Sequence, residues 1–404
     1  MRFDSLFTPA SLTIGLAGLA LGDSPVIVGF VQSWLWEERP AIREIDFSSY
    51  TYVNMAFSIP QKDGSSIFEQ EDILPEAVRI IHDKKSKVLM SYGGWTGSAN
   101  FSDIVNDDTI CDTFIDNIIA HTEKHNLDGV DIDWEYPGRE GDDCNVFHKE
   151  SDTDKFSAFL TKLRKKMDER FPEPKKIISL AVATRTFEGP DGPIDDVSAF
   201  IDAVDFMAVM LYDMSEGEEL TGPNAPLDFV KDKGTQTSFK TGLDAWAKAK
   251  WPAEKTLAGV GFYGRASIVD EEMTPENVNP FMKKNATVPA GDKDNQEPFD
   301  DPCSNQGPVW SGEYWYRNLL EQKILQDPTT AGKGWIRNVH DPSKTPILRN
   351  LASNTLLSYD DPESITAKVK EASSRGLKGI MIWSIDMDTP DQQMTNAIQK
   401  GWET

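Results

Sequence analysis

The segment Leu127-Asp128-Gly129-Val130-Asp131-Ile132-Asp133-Trp134-Glu135-Tyr136-Pro137-Gly138 alternates acids with apolar residues. As a strand it points Asp131, Asp133 and Glu135 to one face and Val130, Ile132 and Trp134 to the other. Carboxylates crowded on a buried face repel one another and are desolvated, so the arrangement requires bound protons, a metal or a cationic substrate. A solvated edge strand with an acidic face is the plainer alternative. Against it, the apolar face asks for burial and Tyr-Pro-Gly stops the strand, which describes a central strand aiming acids into a cleft. Glu135, last of the inward acids, is placed to donate a proton, with Asp133 and Asp131 behind it to share protons and raise its pKa. Asp128 is read as structural.

Elements must position these acids. Strand-like runs fall at Val26 to Ser33, Thr51 to Ser58, Lys87 to Gly93, Gly129 to Tyr136, Ile177 to Ala183, Phe206 to Tyr212, Thr256 to Tyr263 and Gly379 to Ile385. Between them, Asp112 to His125 and Thr153 to Arg170 carry apolar residues at helical spacing, the alternation that a parallel barrel with an outer ring of helices requires. The stretch from Arg265 to about Tyr359 is rich in Pro, Asn, Asp and Gly yet holds Trp310, Tyr314, Trp315, Tyr316 and Trp335, so it is expected to be an inserted subdomain rather than a loop.

With 404 residues and a net charge of −25, the chain is long enough for a large core and a poor partner for nucleic acid or anionic membrane. An apolar run over Ser11 to Gly22 that ends in small residues reads as a signal peptide covering residues 1–22, which makes the protein secreted and without a membrane anchor. The five histidines, His82, His121, His125, His148 and His340, show no ligand spacing, so no metal and no cofactor is expected. Asn100-Phe-Ser and Asn285-Ala-Thr are glycosylation acceptor tripeptides.

The acidic segment Asp128-x-x-Asp131-x-Asp133-x-Glu135 resembles the signature of glycoside hydrolase family 18, the chitinase family. Ser91-Tyr-Gly-Gly94 followed by Trp95, Met210-Leu-Tyr212-Asp213, Gly261-Phe-Tyr263-Gly-Arg265 and Met381-Ile-Trp383-Ser-Ile-Asp386 are similar to other family segments, each at an expected strand end. The resemblance implies an α/β fold, a (β/α)8 TIM barrel over 23–264 and 356–404, with an α+β insertion over 265–355 after the seventh strand. It further implies hydrolysis of β-1,4 links between N-acetylglucosamine units with retention, the substrate's own acetamido group acting as nucleophile. Glu135 becomes the general acid/base. Asp133 orients the acetamido N–H, Tyr212 holds the carbonyl oxygen, Asp213 contacts the distorted sugar and Trp383 forms its floor. Met210, Trp95, Tyr136, Tyr263 and Arg265 complete the sugar-lining set. On that barrel Cys111 and Cys144 lie near one rim, so a Cys111–Cys144 disulfide with Cys303 free is expected, in a protein acting as a monomer on chitin or chitooligosaccharides. Two alternatives stay open: an endo-β-N-acetylglucosaminidase on N-glycans, and a non-catalytic chitooligosaccharide-binding lectin.

Overall fold

The computed structural model describes residues 24–301, 303 and 307–403. The expected signal peptide over residues 1–22 lies outside the described residues. Eight parallel strands close into a barrel: β1 (Val26–Gln32), β2 (Tyr52–Pro60), β3 (Lys87–Gly93), β4 (Gly129–Asp133), β5 (Ile177–Val182), β6 (Phe206–Val209), β7 (Thr256–Gly261) and β8 (Gly379–Trp383). Each pairs with its sequence neighbours, and β1 pairs with both β8 and β2, which completes the ring. Runs such as Ile-Met-Ile in β8 form these strands because a barrel strand is buried on both faces. Val28, Phe30, Leu89, Phe206 and Met381 fill the interior. The outer faces pack on helices: Trp134 stacks on Phe101 at 5.4 Å and meets Phe156 edge-on at 5.2 Å.

All eight expected strands form, and the differences lie at their ends. β4 stops at Asp133 rather than Tyr136, because the Glu135 N–H donates to Ser98 Oγ at 2.9 Å instead of to a neighbouring strand. β6 stops at Val209, and Asp213 takes a left-handed φ of 55° beyond it. The outer ring includes α1 (Leu74–Asp83), α2 (Asp108–Lys124), α3 (Asp152–Arg170), α4 (Phe239–Lys248), α5 (Pro362–Ser374) and α6 (Gln393–Trp402). α2 begins four residues before the expected Asp112, because the Asp107 side chain caps the N–H groups of Thr109 and Ile110.

After β7 the chain enters a second sheet of five antiparallel strands, in the order Glu313–Trp315, Tyr263–Ile268, Thr355–Tyr359, Thr345–Asn350 and Ile336–His340. It has its own apolar cluster, including Leu319, Leu325, Leu348 and Leu357, and Trp315 and Tyr316 are buried.

The cysteine expectation is corrected by the structure. Cys144 pairs with Cys303, their Cα atoms 4.8 Å apart, and Cys111 is free and buried. Cys111 sits in the first turn of α2 on the face turned to the core, among the side chains packed on the barrel. Cys144 is exposed on the loop after β4, within reach of the insertion segment that carries Cys303. Proximity of two loops to one rim did not decide the partner; the path of the inserted segment did.

Candidate active site

Parallel register brings the acids together. Asp131 stands opposite Ser91 of β3 and Ser179 of β5, and Asp133 opposite Gly93 and Ala181. At the lower level Ser91 Oγ donates to Asp131 Oδ2 at 2.8 Å and Ser179 Oγ to Oδ1 at 2.6 Å. Burial still raises Asp131 to about 6, since those two hydrogen bonds only partly favour the ionised form. One turn of pleat higher, the small neighbours leave Asp133 room at the mouth. Its Oδ1 has no protein partner, and burial, with the charges of Glu135 and Asp131 added, holds its carboxyl well above the usual carboxylate range.

Glu135 comes next, its backbone clamped from both sides: Ser98 Oγ takes its N–H and Asn145 Nδ2 donates to its carbonyl at 2.7 Å. Burial raises the carboxyl to about 7. A hydrogen bond from Tyr136 opposes the shift, while the Asp213 charge adds to it. Gly93 makes the approach possible. Its φ is 110°, and a Cβ there would lie 2.2 Å from the Asp133 carbonyl oxygen, which instead accepts the Gly94 N–H at 2.9 Å. Asp128, at the far end of β4, accepts the Val88 N–H at 2.9 Å and lies 2.7 Å from His82 Nε2, a structural tie away from the mouth.

A cleft of about 1080 Å³ opens above these acids. Asp133, Glu135, Tyr136, Met210, Tyr212 and Asp213 line it on the barrel side, together with Trp95, Arg265 and Trp383. Tyr263 does not line it; it is buried one layer below, edge-on to Tyr212 at 6.1 Å. Trp383 rests on Phe57, nearly parallel at 5.7 Å, and on Phe30 at 5.6 Å, so its face is fixed by two rings beneath it. Arg265 faces three carboxylates, Asp213, Glu216 and Glu313, each at 3.2 Å. Burial and the charges of Asp133 and Glu135 push the Tyr212 hydroxyl well up, so it stays a proton donor.

Sequence reasoning missed several members of this site. Ser179 and Ser98 are polar side chains that hold the acids from neighbouring segments. A lone Ser inside Ile177-Ile-Ser-Leu-Ala-Val was the available signal for the first. Trp310 and Phe299, 40% and 49% exposed, come from the insertion to the cleft, whereas Trp315 and Tyr316 are core. Of the glycosylation candidates, Asn285 is exposed with its amide on Asp270, and Asn100 is half-buried, its Nδ2 donating to the Pro60 carbonyl at 2.9 Å. Of the histidines, His121 and His125 meet at Glu71, a residue about 50 positions away that helical spacing could not reveal.

A buried file of acids on one barrel strand, opening into a cleft floored by Trp383, matches one family along nearly the whole chain: the model of Glycosyl hydrolases family 18 covers residues 26–388. The chain belongs to that family. Family 18 relatives include a protein of Moniliophthora roreri named chitinase-like effector, 30% identical over 96% of each chain. Chitinase A1 of Niallia circulans is 28% identical over 75% of this chain and 40% of its own length. Among solved structures, a chitinase from Rhizomucor miehei superposes with a TM-score of 0.83 at 29% identity, over 93% of this chain and 99% of that one. Group IV chitinase of Ostrinia furnacalis, solved with allosamidin, gives 0.75 at 25% identity over 93% and 98%.

Proposed function

We propose that this family 18 protein is a secreted chitinase, cleaving β-1,4 links between N-acetylglucosamine units with retention. The observation that carries the reading is Glu135: a buried carboxyl raised to about 7, at the wall of a cleft of about 1080 Å³. At neutral pH such a group is poised both to give a proton and to take one back. In the first step Glu135 protonates the glycosidic oxygen as the acetamido carbonyl oxygen of the same sugar attacks its anomeric carbon. The bond to the leaving sugar breaks and an oxazolinium ion forms. In the second step Glu135 accepts a proton from water, which opens that ion and restores the original configuration.

Asp133 Oδ1, free of protein partners, is available to the acetamido N–H and to the positive charge that develops on it. The Tyr212 hydroxyl holds the attacking oxygen in line, Asp213 and Arg265 contact the distorted sugar, and Trp383 supports its apolar face. Met210, Trp95 and Tyr136 extend the lining, and the insertion over 265–355 supplies the second wall. The Cys144–Cys303 disulfide supports export to an oxidising compartment. Among the described residues no helix is long and apolar enough to cross a membrane.

A second reading has its own support, since a relative matched end to end is named chitinase-like effector. In that reading the cleft holds chitooligosaccharides without cleaving them. The retained Glu135 and its raised carboxyl favour the enzyme. Hydrolysis of a fluorogenic N-acetylchitooligosaccharide by the purified protein, beside Glu135→Gln and an N-glycan substrate, separates the readings. Release by wild type alone supports the chitinase. Release only from the N-glycan moves the same chemistry to an endo-β-N-acetylglucosaminidase, and binding without release leaves the effector-like binder.

A further inference from the structure

On the outer side of the barrel wall, away from the cleft lining, two histidines and a carboxylate converge. His121 lies near the end of α2 and His125 directly follows it, one helical turn on, so both rings project from one face with centroids 4.9 Å apart. Both turn Nε2 toward Glu71: His121 Nε2 is 3.1 Å from Oε2 and His125 Nε2 is 2.7 Å from Oε1. One donor atom from each residue lies within 4.8 Å of the other two. We propose that Glu71, His121 and His125 bind one divalent transition-metal ion, zinc by the chemistry of the donors, as a structural clamp on the barrel wall.

The donor set and its surroundings support this assignment. Two imidazoles and one carboxylate suit zinc rather than magnesium or calcium, which prefer oxygen donors alone. Zinc bonds to nitrogen and oxygen are roughly 2.0–2.2 Å, so the three donor atoms need close by only tenths of an ångström to a little over one ångström to share an ion. A ligating histidine is normally oriented through its other ring nitrogen, and His121 Nδ1 meets the Tyr92 hydroxyl at 3.0 Å while Phe68 packs against the ring. His125 is 5% exposed and His121 13%, whereas Glu71 is 40% exposed, which leaves solvent access on the carboxylate side for a water as fourth ligand. Lys124 pairs with Glu71 from that same side. It is 63% exposed and free to swing, so it can retain one carboxylate oxygen while the ion takes the other.

The clamp would join α2 to the segment before α1. It would also brace β3 through Tyr92, whose neighbour Ser91 holds Asp131 on the inner face of the same strand.

The test is calorimetric titration of zinc chloride into the full chain after EDTA treatment and dialysis, at pH 7.5. Wild type is expected to take up one equivalent saturably, with a rise in Tm of several degrees at zinc concentrations about 100-fold above Kd. Glu71→Gln and His125→Gln should each weaken binding by at least about 10-fold and abolish that rise. Turnover of the chitooligosaccharide by Glu71→Gln should stay at the wild-type level. Absence of saturable zinc uptake by wild type overturns the site and leaves the cluster a plain ion-pair network. Wild-type affinity in Glu71→Gln overturns it as well, placing the ion elsewhere on the acidic surface. Glu71 is exposed enough for its substitution to fold, so the test stands if His125→Gln does not.

Discussion

Ionisation of Glu135 sets the alkaline limit of the proposed reaction. Its carboxyl sits near 7 mainly through burial, so kcat/KM is expected to fall as pH rises past about 7 and the proton is lost, a limb readable in a pH–rate profile. Glu135→Gln removes the proton but keeps the shape: turnover should drop by about 10³-fold while oligosaccharide affinity, measured by calorimetry, stays within a few-fold of wild type. Tyr212→Phe should lower kcat by about 10²-fold with KM little changed, because its hydroxyl is assigned to the attacking group. Asp131 carries a stability effect of definite sign. Its folded-state pKa of about 6 exceeds the ordinary 3.8, so the folded state holds the proton more tightly. The associated stability is full below about pH 4 and lost as pH rises through about 6, roughly 3 kcal/mol in all. Asp131→Asn should therefore narrow the gap in Tm between pH 4 and pH 7.5.

At the scale of elements, the strands were readable because a barrel strand is apolar on both faces and begins and ends at turn residues. Their ends were not, because side-chain acceptors such as Ser98 compete with the ladder there and leave no periodic trace. The acids were readable because one short segment, β4 and the two residues beyond it, carries them all. Their partners were hidden in register: Ser179 reaches Asp131 only when β5 is set beside β4. Gly93 couples element to site. Gly93→Ala would force a side chain into a left-handed backbone and against the Asp133 carbonyl, at a cost of about 1–3 kcal/mol in chemical denaturation. α5 has a comparable anchor at its start. Asp361 caps it, and the adjacent Asp360 is bound at 2.6 Å by Lys368 from the next turns, with both side chains no more than 3% exposed. Lys368→Met strands a buried carboxylate and should cost about 3–5 kcal/mol, while Asp360→Asn with Lys368→Met should cost far less, because no uncompensated charge remains.

For the whole molecule, the links between barrel and insertion were the least legible part of the sequence, because they depend on where a long irregular segment returns. The barrel reading placed Cys111 and Cys144 near one rim, but α2 turns Cys111 inward under its own first turn, and the insertion brings Cys303 to the loop after β4. That bridge joins positions 159 residues apart and ties the loop following Glu135 to the insertion, which also supplies Phe299 and Trp310 to the cleft. Alkylation of the native protein without reductant should leave Cys111 unmodified until the chain is unfolded, because it is only 5% exposed. Peptide mapping should then recover Cys144 and Cys303 as one linked pair. Cys303→Ser releases a constraint on the unfolded chain that loop-closure entropy puts near 5 kcal/mol at most, so Tm should fall. Because the bridge fastens the insertion segment that carries the cleft residues Phe299 and Trp310, and not the barrel core, KM for long chitooligosaccharides should rise more than kcat falls. Recovery of a Cys111–Cys144 peptide instead would return the insertion to an untethered wall and remove both expectations.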